Sequence, residues 1–333
     1  MKKYYQNGTS SDVEFMLSDE DEFTIYVMED RYRTLYYSND HLIREIDEEL
    51  IDLYDKFRDL YFSNLDLYYQ EVPNIPIGLG IGGLSSSVAI SKNEYLNLNN
   101  EVMPQLPNLA RHLHLGDCQY LISTVQNLLR AIEYCYVQYF IQISQIELPS
   151  DLLSENTIIE SSSERSFQLM FFVETFFTKM YSVLDMMVKI VYELENPTID
   201  VSGITKLKSS QKLWGDRKYI SVSKTPNTIF EDCEVLRQIE SLRNETVHNA
   251  TWEFNPRVFI KVNNQKIIKR YMMSPDFEDG RLATVKNRKH FFSTDVTAND
   301  LLVTIHDEFY HRLLVTLKLI NKKRYGQPTQ EVK

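Results

Sequence analysis

Apolar residues recur at spacings of three and four along most of this chain, the pattern of helices that bury one face. Leu42, Ile46, Leu50, Leu53, Tyr54, Phe57 and Leu60 trace one such stripe and predict a helix over 40–71 with a strongly acidic outer face. Leu121, Val125, Leu128, Leu129, Ile132 and Tyr136 trace a second, predicting a helix over 117–146. The stretch 161–194 is apolar almost all round and predicts a helix at the centre of a bundle. A lysine-rich link (201–227) leads to a helix over 228–249, with Leu236, Ile239, Leu242 and Thr246 in step. Leu301, Ile305, Phe309, Leu313, Leu317 and Ile320 predict a last helix over 296–324.

Two regions change period. FTIYV (23–27) and YRTLYY (32–37) flank MEDR, which suits a hairpin. VFIKV (258–262) and KIIKRYMM (266–273) flank Asn263-Asn264 and read as a second hairpin, rich in lysine and arginine. Residues 72–116 break every pattern and read as a long irregular or partly stranded connection. Gly78, Gly80 and Gly83 satisfy GxGxxG there, but Pro73 and Pro76 precede them and no clear helix opens behind them, so a flexible loop is the better reading. The layout is mainly α: an acidic N-terminal extension (1–116) with short strands, a helical bundle (117–325) carrying a small β insertion at 252–292, and a tail (326–333).

Composition narrows the class. The chain has 333 residues with 43% hydrophobic, enough for a large core. Its 10 glycines and 10 prolines fall well below their usual shares of about 7% and 5%, which fits long helices. Three dispersed cysteines without a CxxC argue against a disulfide framework and a structural zinc site. Glu174, Lys179, Asp185 and Lys189 interrupt the most apolar stretch, so no membrane span is expected, nor is a signal peptide, and a cytoplasmic protein follows. The net charge of −11 is unevenly spread: −11 over 1–75, −8 over 76–200 and +8 over 201–333. Only the last third suits an anionic partner.

Several groupings could carry chemistry. His112 and His114, with Asp117 and Cys118, suggest a metal cluster, but HxH pairs are common and surface histidines in a loop are the plainer reading. His306 and His311 stand about 140° apart on a helix, unlike a zinc-binding i, i+4 pair. Asp185 and Lys189 read as a helix-surface ion pair.

RNETVHNA (243–250) differs from these. Asn244 and His248 share a helix face, and the long Arg243 side chain sits about 100° round. Arginine offers a fork of donors matched to phosphate oxygens. Histidine takes and gives a proton at neutral pH. The pair suffices for RNA cleavage without metal, and a basic hairpin follows, with Lys261, Lys266, Lys269 and Arg270 as candidate RNA contacts.

Arg243-Asn244-Glu245-Thr246-Val247-His248 resembles the signature of the HEPN superfamily: an arginine, a polar residue, then a histidine after four to six intervening positions. YSVLDMMVKIVYEL (181–194) resembles the core helix that precedes it, and the likeness spans 117–325, with the Cthe-type subgroup the nearest. The resemblance implies an up-and-down helical bundle that dimerises with two motifs facing one cleft. It also implies metal-independent endoribonuclease activity in toxin–antitoxin or phage-defence systems, leaving 2′,3′-cyclic phosphate ends. Arg243 and His248 would be catalytic, with Asn244 in support, RNA as substrate, no metal or cofactor, and an antitoxin or defence-system protein as partner. The alternative within the family is a non-catalytic binding or scaffold module. A metal hydrolase built on His112 and His114 is the outlying reading.

Overall fold

The computed structural model describes residues 2–12, 25–30, 33–37, 40–154, 156–209, 220–294 and 296–325. The protein is mainly helical, with 57% helix and a few small antiparallel sheets. The helices are α1 (Asp40–Tyr61), α2 (Leu65–Glu71), α3 (Ile77–Gly80), α4 (Lys92–Val102), α5 (Leu109–Ser144), α6 (Glu164–Glu195), α7 (Glu234–Asn249) and α8 (Ala298–Lys322). Two compact units divide the chain, the first from 1–45, 127–183 and 226–315, the second from 46–126, 184–225 and 316–333. The divisions fall inside α1, α5, α6 and α8, so each of these helices gives one stretch to each unit.

The core of the first unit gathers Ile132 and Phe140 of α5, Val173, Phe176 and Met180 of α6, Ile239 and Leu242 of α7, and Ile305, Phe309 and Leu313 of α8, all buried. The second gathers Leu50, Leu53 and Phe57 of α1, Ile122 and Val125 of α5, Ile190 and Leu194 of α6, and Leu317 and Ile320 of α8. Each such side chain contributes about 1.5–3 kcal/mol of transfer free energy, which fixes the faces that the periodicity picked out. Among the described residues no helix is long and apolar enough to cross a membrane.

Where local side-chain chemistry competes with the helix, the boundaries move. The predicted helix 40–71 breaks after Tyr61, because Asn64 Oδ1 accepts from the Asp66 and Leu67 amides at 3.0 and 3.2 Å and starts α2 afresh. Thr228 likewise holds a turn, its Oγ1 accepting from the Phe230 amide at 3.2 Å, so α7 begins at Glu234 rather than 228. Residues 72–116 are largely helical, a correction to the irregular or stranded reading. Ser91 and Glu94 form a capping box that opens α4, and α5 starts at Leu109, eight residues earlier than its apolar stripe predicts. The glycines of the GxGxxG string lie in α3 and the turn after it, while the next helix waits until Lys92, so they do not open a phosphate-binding helix.

All the described strands belong to the first unit. β1 (Lys2–Tyr4), β2 (Ser10–Asp12), β3 (Ile25–Asp30) and β4 (Arg33–Tyr37) form an antiparallel sheet of order β2-β1-β3-β4, so the predicted hairpin is present, though residues 23–24 and 31–32 lie outside the described ones. So do 210–219 of the link and the tail 326–333. β5 (Ile158–Ser161), β6 (Val258–Asn263) and β7 (Lys266–Tyr271) form a second sheet. Its turn is Asn264-Gln265, with φ of 48° and 62°, one residue beyond the predicted pair. A two-residue hairpin turn of type I′ takes positive φ at both positions, which asparagine tolerates. Gly8, at φ 71°, presses the β1–β2 turn against the edge of β7, where a Cβ would stand 2.2 Å from the Arg270 carbonyl oxygen. Two short hairpins follow, β8 (Phe277–Glu278) with β9 (Arg281–Leu282), and β10 (Thr284–Val285) with β11 (Arg288–Lys289).

Candidate functional site

The last two turns of α7 carry RNETVHNA, and the helix presents three faces. Leu236, Ile239 and Leu242 are buried in the core. Arg237, Ser241 and Glu245, spaced by four, meet the strand insertion. Arg237 Nε donates to the Asp279 carbonyl at 2.7 Å, and Ser241 Oγ to the Gly280 carbonyl at 3.3 Å. Gly280 is at φ 77° and approaches so closely that a Cβ would stand 2.4 Å from the Glu234 carbonyl oxygen. Glu245 is buried, with Lys289 Nζ at 3.5 Å and His290 Nε2 at 3.0 Å, the latter out of hydrogen-bond alignment. The insertion therefore packs on α7 at Arg237, Ser241 and Glu245, while Asn244, about 100° round from Glu245, is half-buried and His248, about 60° round from it, is exposed.

Arg243, one helical turn beyond the buried Ile239, is half-buried and held at two points. Its guanidinium carbon lies 4.7 Å from the centre of the Tyr181 ring on α6, and Nη1 donates to Asn244 Oδ1 at 2.8 Å. His248 is exposed in the last turn of the helix. Ala250 closes the helix at φ 73°, ψ −41°, near the rarely populated γ-turn region that strains any residue with a Cβ. Beyond it Phe254 is 96% exposed, a bare ring four residues past the strained turn. Glu174 stands one helical turn before Thr178 and two before Tyr181 on α6. Burial pushes its carboxyl pKa up, and the nearby Thr251 side chain pulls it back in part. Its Oε1 has no hydrogen-bond partner.

The candidate RNA contacts separate into two groups. Lys261 lies opposite Lys269, and Asn263 opposite Lys266, but the register shifts between Lys261 and Val262. Ile268 is the extra residue of a β-bulge, and it brings Lys261, Lys266 and Lys269 onto one face, which strict alternation would have forbidden for Lys266 and Lys269. Lys269 also sits over the Tyr271 ring at 5.1 Å and 3.8 Å from Asp300. Arg270 falls on the opposite face. Its Nε donates to the Ile146 carbonyl at 2.8 Å and its Nη1 to the Gly8 carbonyl at 3.3 Å, so it braces the sheet rather than offering charge to a ligand.

The histidines of the HxH pair are not surface groups, and they part company. Both lie in the first turns of α5, at 7% and 2% exposure. His112 Nε2 is 2.9 Å from Glu71 Oε2 and packs on Phe62 and Tyr68. His114 points elsewhere, with Cys118 and Glu193. Burial lowers the pKa of both. His306 is buried too, 2.5 Å from Glu133 and stacked between Tyr136 and Tyr310, while His311 is exposed beside Asp307. Sequence reasoning missed Tyr181, Glu174 and Phe254. The first two lie on another helix from the motif, and the third is set apart only by its exposure. No family model, curated protein or solved structure matches this chain.

Proposed function

We infer that the chain is a HEPN-like helical bundle and a metal-independent endoribonuclease, acting as a homodimer of the toxin or defence-effector kind, with Arg243 and His248 catalytic and Asn244 in support. The observation that carries the reading is the state of the three side chains on α7. Arg243 is fixed by Tyr181 and Asn244, while His248 is left open to solvent at a strained helix end. In this chemistry neutral His248 takes the proton of a ribose 2′-hydroxyl. The 2′-oxygen attacks phosphorus, the bond to the 5′-oxygen breaks, and that oxygen leaves with a proton supplied by an imidazolium. Arg243 bears on the charge that builds on the non-bridging oxygens. The products are a 2′,3′-cyclic phosphate and a 5′-hydroxyl.

Five residues along a helix correspond to about 7.5 Å of rise and 140° of rotation. Arg243 and His248 of one copy therefore do not converge on one phosphate unaided, which favours a site completed by a second copy. Lys261, Lys266 and Lys269 supply cationic contacts, and Phe254 a ring for a base to stack on. The test incubates the protein with RNA in EDTA and identifies the product ends. Cyclic phosphate from the wild type and none from His248→Ala supports the reading; equal cleavage by both defeats it.

The second reading is a non-catalytic helical interaction module. It draws on the acidic outer face of α1, where Asp52, Asp55 and Asp59 follow one another at the spacing of a helix face. RNA retention that ignores His248, with no cleavage at all, favours it.

A further inference from the structure

In the second unit the start of α5 meets the last turn of α6 around a group of side chains that the nuclease reading does not use. His114 and Cys118 are one helical turn apart on α5, so they share a face. Glu193 reaches the same point from α6. One ligand atom from each lies within 4.8 Å of the others, and the residues are 2%, 0% and 0% exposed.

Their hydrogen bonding is incomplete. Neither ring nitrogen of His114 has a hydrogen-bond partner, the Thr205 backbone standing near but out of alignment. The Glu193 carboxylate is divided: Oε1 accepts from the Ser209 amide at 3.0 Å, which fixes its orientation, and Oε2 has no partner. Cys118 Sγ has only a long contact to the Tyr61 hydroxyl, at 3.9 Å. Tyr61 also packs edge-on against the His114 ring at 5.5 Å. Buried polar atoms are nearly always satisfied, and each exception calls for an explanation.

We propose that His114, Cys118 and Glu193 bind a zinc ion that staples the start of α5 to the end of α6. The donor set fits this cation class. A thiolate with an imidazole and a carboxylate suits zinc and disfavours magnesium and calcium, which demand oxygen ligands. The charge also fits a buried site, since Zn²⁺ with one thiolate and one carboxylate is neutral overall. Tetrahedral ligand bonds of about 2.0–2.3 Å set the ligand atoms roughly 3.3–3.8 Å apart, a small rotamer adjustment from the spacing present. The Ser209 amide serves as the outer-shell donor that orients a ligating carboxylate. Of the three ligands, His114 also forms part of the wall of a cavity of about 370 Å³ beside Tyr95 and Thr205, so the cluster is approached from the His114 side.

The experiment uses the full chain, stripped by dialysis against a chelator and titrated with Zn²⁺ or Co²⁺. One equivalent of cobalt is expected to produce a thiolate-to-cobalt charge-transfer band. Circular dichroism that shows a folded protein with no band overturns the proposal and leaves the cluster to water. Cys118→Ser is expected to lose the band. Should that variant fail to fold, Cys135→Ser combined with Cys233→Ser leaves Cys118 as the sole thiol: a retained band supports the assignment and a lost one refutes it. Glu193→Gln is expected to weaken zinc binding at least about tenfold, the lower bound for disturbing even an outer-shell partner. Unchanged affinity removes Glu193 from the site.

Discussion

The end of α7 and the meeting of α5 with α6 each gather chemistry-bearing side chains, and they are opposites in physical state. At the end of α7 the groups are contiguous in sequence, Arg243 half-buried and held by Tyr181 and Asn244, His248 exposed, and only Glu245 buried, beside Lys289 and His290. At the α5–α6 cluster the groups are drawn from two helices, wholly buried, and short of partners. Exposure with fixed geometry suits turnover of a large polymer, which must reach the groups and leave. Burial with unsatisfied atoms suits a small ion that stays. The comparison therefore separates activity from stability, and substitutions can break it.

The largest effect is expected at the exposed end. His248→Ala should lower RNA cleavage by about 10²–10⁴-fold, the usual range for losing a general acid–base, with an unchanged thermal midpoint. A large fall in that midpoint would mean that the histidine is structural after all. Arg243→Lys should cost about 10²-fold or more, because an ammonium cannot reproduce the two-pronged donation to phosphate. Full activity in the lysine variant would reduce Arg243 to a point charge.

The buried cluster should respond the other way. Chelation, or Cys118→Ala, should lower the melting midpoint, while cleavage per folded molecule stays within a few fold; a collapse of cleavage at constant stability would join the two regions functionally. Among the basic residues, Lys261→Ala, Lys266→Ala and Lys269→Ala should each weaken RNA retention and reduce its salt slope by about one or less. Arg270→Ala should instead destabilise the fold, by roughly 1–3 kcal/mol for the Ile146 and Gly8 carbonyl acceptors left unpaired.

Glu174 offers the smallest test. Its folded pKa lies above the ordinary 4.5, so the folded state binds the extra proton and this group's contribution to stability falls as pH rises from 4.5 through the raised value. Glu174→Gln should therefore stabilise the protein at neutral pH, with the gain fading below pH 4.5. Urea melts at several pH values read this directly, and a gain that persists in acid removes the carboxyl as its cause.

The long helices were legible because burial selects apolar residues at a fixed spacing, as Leu50, Leu53 and Phe57 show. Legibility failed where polar residues took inward positions. His112 and His114 occupy buried sites at the start of α5, and a count of apolar spacing passes over them, so it predicts a late start to the helix and places the histidines in a loop. RNETVHNA stood out because its parts are neighbours in the chain. Glu193 could not be paired with Cys118 in the same way, since only tertiary packing brings α6 to α5. The lysine face was invisible for a subtler reason, because the period of two fails at a single residue, Ile268, and no composition announces a bulge.

Ala250 bears on how this protein could be altered. Glycine would hold the same turn with less strain, so Ala250→Gly is expected to raise stability by up to about 1 kcal/mol. It would also widen the range of angles through which the last turn of α7 swings. The methyl group thus trades thermal robustness for aim, and a search for hardier variants would remove it early, at the expense of where His248 points.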